Sequence, residues 1–117
     1  MKQPTKTTCG QTCVAKFLGI EPETIIAEIG GSASWPSMLR KALENHGHTL
    51  SKCKYKLPVI PQEGEWLALV QWVVNHKLIG HWFFIRNGLA WCPTNDDIIS
   101  LNDPAMAGKI YEITKVA

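Results

Sequence analysis

The spacing of apolar residues along the chain changes near residue 47. Before that point, apolar residues recur three or four positions apart in three short runs. This spacing predicts three helices that fill roughly the first 46 residues. Gly19, Gly30 and Gly47 follow the three runs, and glycine is common after a helix because it adopts the left-handed conformation at little cost. Pro22 and Pro36 are well placed in the first turns of the second and third helices.

Beyond Gly47, apolar residues alternate or run unbroken over segments of strand length. Trp66–Val74 is rich in β-branched and aromatic residues and predicts a central strand, whereas Leu50–Leu57, with its KCKYK run, predicts an edge strand. Asn87–Gly88 is typical of a tight hairpin turn. Helices followed by an antiparallel sheet indicate an α+β fold. Further strands are expected at 78–86, 89–92, 98–101 and 109–116.

Composition indicates one ordinary globular domain over residues 1–117. Apolar residues make up 45% of the chain and charged residues 19%, and a chain of this length can bury one core but has no room for a second. The net charge of +2 is too small to indicate a nucleic-acid partner. No apolar run approaches the length of a membrane span, and no signal-peptide segment follows Met1. We therefore expect a cytoplasmic protein with no membrane partner.

The chain has four cysteines, which should be reduced in such a compartment. The spacing of Cys9 and Cys13 is not a common zinc spacing, and no second pair accompanies it, so neither a metal nor another cofactor is expected. A redox or metal role would require Cys13 to act together with Cys9, one helical turn away.

The segment Gln3–Leu18 carries the candidate nucleophile. Cys9 opens the first helical run, and the N-terminus of a helix lowers a cysteine pKa because its unpaired N–H groups favour negative charge. Gly10 has no Cβ, so other groups can approach the backbone behind the sulfur. If Gln3 folds back, its side-chain N–H and the main-chain N–H of Cys9 could together hold an oxyanion. The segment contains no base.

His81 is the candidate base, near the start of a strand that ends at the Asn87–Gly88 turn. A two-residue turn places His81 opposite Thr94 and Trp82 opposite Pro93, at a position where proline cannot donate to the ladder. The strand pairing should therefore stop near Cys92. Asn95, Asp96 and Asp97 would then lie close to His81 and be free to orient the imidazole, as an amide or carboxylate does in a Cys–His enzyme.

These residues resemble two families of papain-like peptidases. Gln3 followed by the Cys9–Ala15 segment is similar to the double-glycine leader peptidase domains of bacteriocin exporters, as is His81–Ile85 followed later by Asn102–Pro104. The Cys9–Cys13 and His81–Trp91 segments are also similar to the Josephin deubiquitinases. Both resemblances imply a papain-like fold in which Gln3 is the oxyanion donor, Cys9 the nucleophile and His81 the base. The chain is smaller than members of either family and carries no membrane segments, unlike the exporters.

The two families imply different third residues. The Josephin pattern falls on Asn95, which the hairpin register also favours, and the leader-peptidase pattern falls on Asp103. If Asn87–Gly88 were not a tight hairpin, Asp103 would be the better candidate.

The sequence thus predicts a papain-like cysteine hydrolase that cleaves a peptide or isopeptide bond in a peptide or protein substrate. If thiol and imidazole form a charged pair, activity should persist below the free-thiol pKa of about 8.5. A deamidase or an acyltransferase would use the same groups. A further alternative is a binding or inhibitor protein that keeps the fold without turnover.

Overall fold

The computed structural model describes residues 1–116. Three helices come first: α1 is Cys9–Leu18, α2 is Pro22–Ile29 and α3 is Pro36–Glu44. The prediction of three N-terminal helices is therefore confirmed. Gly19 ends α1 in the left-handed conformation at φ 72°, and its N–H donates to the carbonyl of Ala15. The third helix is shorter than expected, because it ends at Glu44 and Gly47, at φ 80°, lies in the turn that leads to the sheet.

The strands that follow form one six-stranded sheet in which all recorded pairings are antiparallel. Its spatial order is β1-β6-β2-β3-β4-β5, so the second strand is central and the first is an edge, as the sequence predicts. The fold is α+β, with the helices packed against this sheet. The strands are β1 His48–Lys56, β2 Glu65–Val74, β3 Lys77–Arg86, β4 Leu89–Cys92, β5 Asp97–Ile99 and β6 Ala107–Lys115.

Two tight hairpins fix the position of β3. The predicted turn at Asn87–Gly88 joins β3 to β4, with Arg86 opposite Leu89, and both turn residues have positive φ. A second two-residue turn, at Asn75–His76, joins β2 to β3 at φ 50° and 63°. This hairpin is not predicted from the sequence. It extends β2 and β3 beyond the ends of their neighbours, since β6 pairs with β2 only as far as Gln71.

Alternation along β3 sends successive side chains to opposite faces of the sheet. Trp82 and Phe84 join the core cluster that contains residues of all three helices, including Cys9. Phe83 and Ile85 join a second cluster on the other face, together with Cys92. Among the described residues, the helices are all too short or too polar to traverse a bilayer.

Candidate active site

Cys9 is the first residue of α1, and burial and three nearby main-chain N–H groups act on the pKa of its thiol in opposite directions. Burial is the largest influence and raises the pKa of the Cys9 thiol, because the side chain is only 8% exposed. The N–H groups of Trp82, Gly10 and Cys9 itself act in the opposite direction and lower that pKa. Burial outweighs these N–H groups, so the protonated thiol is the favoured form of Cys9.

The N–H of Trp82 reaches Cys9 because β4 ends early. In the β3–β4 register, Trp82 would pair with Pro93, but the ladder stops at Cys92, as predicted from the missing proline N–H. Pro93 instead accepts a hydrogen bond at 3.0 Å from the N–H of Gln3. This leaves the Trp82 N–H to face the start of α1.

His81 lies next to Trp82, with its ring half-buried on β3. Its Nε2 is 3.2 Å from Thr94 Oγ1 and 3.9 Å from Cys92 Sγ, and the ring packs edge-on against Phe83 at 4.8 Å between centroids. Burial lowers the pKa of His81, which favours the neutral imidazole. Within residues 1–116, no hydrogen bond joins the imidazole to Cys9.

A chain of hydrogen bonds fixes the tautomer of His81. Gln3 Nε2 donates to the carbonyl of Thr5 at 2.8 Å, so its Oε1 faces Thr94 and accepts from that hydroxyl at 3.0 Å. Because the single proton of Thr94 is used there, the Thr94 oxygen must accept from His81 Nε2–H. Nδ1 therefore carries the lone pair and is the basic nitrogen of the ring.

The structure brings Gln3 to the hydrogen-bond network of His81. It places Cys9 against Trp82, whereas the imidazole of His81 lies with Phe83 and Cys92 on the opposite face of β3, so the predicted nucleophile and base are not in contact. It does not bring the two predicted third residues to the ring. Asn95 is exposed in the turn after β4, and its side chain makes no hydrogen bond within the described residues. Asp103 accepts from the N–H of Ala105 at 2.9 Å in its own loop.

Two contributors to the site were not predicted from the sequence: the hydroxyl of Thr94 and the main-chain N–H of Trp82. The hairpin register does place Thr94 opposite His81, so the signal for it was present, although a threonine is an uncommon partner for a base. The approach of Cys92 Sγ to the imidazole is not predicted by any sequence feature other than the position of Cys92 on β4.

A cavity of about 230 Å³ opens beside Cys9 and is lined by Ser34, Trp35, Gln71 and Gly80, among others. Its wall, the loop after α2, is held by hydrogen bonds from the core. Gln11 donates to the carbonyls of Gly30 and Ser32 at 2.9 and 2.8 Å, and Trp82 Nε1 donates to that of Ser34 at 3.1 Å. The loop is therefore a fixed boundary beside the thiol.

Among residues 1–116, no group of three or more histidine, cysteine, aspartate or glutamate side chains is arranged to hold a metal ion. No protein-family model, no curated protein and no solved structure matches this chain. The resemblance to papain-like peptidases therefore rests on the motifs around Gln3, Cys9 and His81.

Proposed function

We propose that this protein is a papain-like cysteine hydrolase that cleaves peptide or isopeptide bonds, with Cys9 as nucleophile and His81 as general base. The observation that carries the proposal is that Cys9, at the start of α1, lines one cavity together with Trp82, the residue directly after His81. This places the start of α1 beside the strand that carries His81, whose Nε2–H donates to Thr94.

The proposed reaction uses neutral groups at rest, because burial raises the pKa of Cys9 and lowers the pKa of His81. His81 Nδ1 takes the thiol proton as Cys9 Sγ bonds to the substrate carbonyl carbon. The imidazolium then gives that proton to the leaving amine as the C–N bond breaks. Water then attacks the thioester carbon as His81 accepts a proton from it. The C–S bond breaks, the imidazolium returns the proton to the Cys9 sulfur, and the carboxylic acid product leaves.

Two further groups support these steps. Thr94 accepts from Nε2–H and keeps the ring in the tautomer that the reaction needs. Gln3 donates one amide hydrogen to Thr5 and retains a second, which could stabilise the oxyanion together with the Cys9 N–H. Because the neutral imidazole is the base, activity should extend below the ordinary thiol pKa, as expected also for a charged pair.

A catalytically silent binding protein is the second candidate. Two observations favour it: the Cys9 side chain is only 8% exposed, and the recorded partners of the His81 ring are Thr94 and Cys92 rather than Cys9. Such a protein could use the same cavity without turnover.

Thiol labelling separates the two candidates. Limiting iodoacetamide at pH 7, with adducts mapped by mass spectrometry, should label Cys9 at a rate that depends on His81. Cys53, which lies on β1 outside the site, is the internal reference. His81→Ala should slow labelling of Cys9 about a hundredfold, the lower end of the usual contribution of a general base, and leave Cys53 unchanged. His76→Asn is the matched control, because asparagine adopts the positive φ of that turn. Labelling of Cys9 that is slow and indifferent to His81 would refute the enzyme.

A further inference from the structure

One edge of β3 has no strand partner over most of its length. Its other edge pairs with β2 from Lys77 to Arg86, but β4 pairs only with Phe84–Arg86. Among residues 1–116, no other strand covers β3 on that side. The unpartnered stretch, residues 77–83, leads directly to the Cys9 sulfur.

The register determines which backbone groups this edge presents. The pairs next to a two-residue turn are hydrogen-bonded, and bonded pairs then alternate along the ladder. From Val74–Lys77 onwards, the odd-numbered residues of β3 therefore bond to β2, and Leu78, Gly80 and Trp82 point their N–H and C=O groups outward. Gly80 and Trp82 line the cavity beside Cys9, and the Trp82 N–H is one of the groups that lower the pKa of the Cys9 thiol, in agreement with this direction. Leu78 and Gly80 continue the same row away from the thiol.

The side chains along this row form an apolar surface on the Cys9 face. Gly80 lies opposite Gln71, and Leu78 lies opposite Val73. Leu78 and Val73 are each 67% exposed, although both are apolar. Gly80 also borders the cavity beside Cys9, and an added Cβ there would point at Gln71 and Leu69. Beside the cavity, the surface of the sheet is therefore bare at Gly80, which has no side chain. The exposed Val73–Leu78 pair lies next to Gly80, farther from Cys9.

We propose that the substrate of this site is an extended peptide segment that adds to β3 as a further strand, through the outward backbone groups of Gly80 and Leu78. This inference rests on the proposed function, because the added strand would place a carbonyl of the substrate beside the Cys9 nucleophile. Main-chain bonds supply affinity in strand addition, and side chains at alternate positions supply specificity. An apolar side chain two positions from the residue at Gly80 packs on the Val73–Leu78 pair, because side chains two apart in a strand share a face.

Two series of peptide probes with a thiol-reactive group test the proposal. One series carries an acyloxymethyl ketone at the C-terminus and extends along the residues before the attacked carbonyl. The other carries a bromoacetyl group at the N-terminus and extends along the residues after it. Each series compares a one-residue probe with a four-residue probe that places leucine at alternate positions. In one of the two series, the longer probe should label Cys9 about tenfold faster, which corresponds to about 1.4 kcal/mol.

Variants of β3 show whether the gain comes from strand addition. Leu78→Pro removes the outward N–H without removing a bond to β2, and it should abolish the gain. Leu78→Ser should lose only the part of the rate gain that depends on the apolar side chain of residue 78. Ile79→Ser is the matched control on the opposite face, and should keep the gain. N-methylation of the long probe removes its backbone donors, and should also abolish the gain in the unmodified protein.

The outcomes distinguish the inference from the function on which it rests. A normal His81-dependent rate with iodoacetamide, but no gain from probe length in either series, would overturn strand addition alone. Slow labelling of Cys9 by iodoacetamide that does not depend on His81 would refute the hydrolase proposal. The effect of probe length on the labelling rate would still test strand addition. A length gain that survives both Leu78→Pro and N-methylation would refute pairing with the backbone. A dimer in sedimentation that Leu78→Pro dissociates, with no length gain, would assign the edge to a second copy of the chain.

Discussion

Replacing Thr94 with valine tests which residue orients His81. Valine keeps the β-branched shape of threonine and removes the hydroxyl that accepts from His81 Nε2–H at 3.2 Å and donates to Gln3 at 3.0 Å. In the proposed attack step the ring becomes an imidazolium, so the lost bond is one to a charged group, worth about 1.5–3 kcal/mol. Thr94 is exposed, so water can replace part of the bond and the lower figure applies.

A loss of about 1.5 kcal/mol predicts that Thr94→Val slows labelling of Cys9 by iodoacetamide roughly tenfold. Thr94→Ser keeps the hydroxyl and should label at nearly the rate of the unmodified protein. The rate for Cys53, measured in the same digest, shows that the fold and the reagent are unchanged.

The rival orienters provide the refuting result. Asn95→Ala and Asp103→Ala should leave the Cys9 rate unchanged, since neither side chain bonds to the ring. If Thr94→Val has no effect and either alanine variant slows labelling tenfold, the hydrogen-bond chain from Gln3 to His81 is not what orients the base.

Two further predictions concern stability and are measured by urea unfolding. Gly10→Ala should destabilise the fold by about 1–3 kcal/mol, because a Cβ there would lie 3.0 Å from Trp82 Cδ1 and 3.1 Å from a Leu39 methyl. Gly31→Ala is the control, since the nearest atom to its added Cβ would be 3.6 Å away. Equal losses of stability in the two variants would contradict the reasoning. Burial holds the pKa of Cys13 well above its ordinary value of 9.0, so the folded state keeps this proton longer than the unfolded state. Stability should therefore fall as pH rises above about 9, and Cys13→Ala should flatten that fall; an unchanged slope would show that Cys13 is not the cause.

Local sequence rules determined most of the fold. Periodicity, together with the glycines and prolines that bound each run, was sufficient for three helices, a central β2 and an edge β1. These features depend on interactions between residues close in the chain, which short patterns encode directly. The Asn87–Gly88 turn fixed the β3–β4 register, and Pro93 ended β4 at Cys92 because a proline has no N–H to donate. The Asn75–His76 turn is not predicted, since the typical signal for such a turn is asparagine or aspartate followed by glycine, and His76 stands in the place of that glycine.

The partners within the site were decided only by the tertiary structure. Which side chain meets His81 depends on how the chain turns after Cys92, and that turn is held by distant contacts such as Gln3 N–H to the Pro93 carbonyl. In the same way, the approach of the Cys9 sulfur to the Trp82 N–H requires α1 to pack on β3. The sequence determined which groups were available, whereas long-range packing, summed over many weak contacts, determined which of them meet.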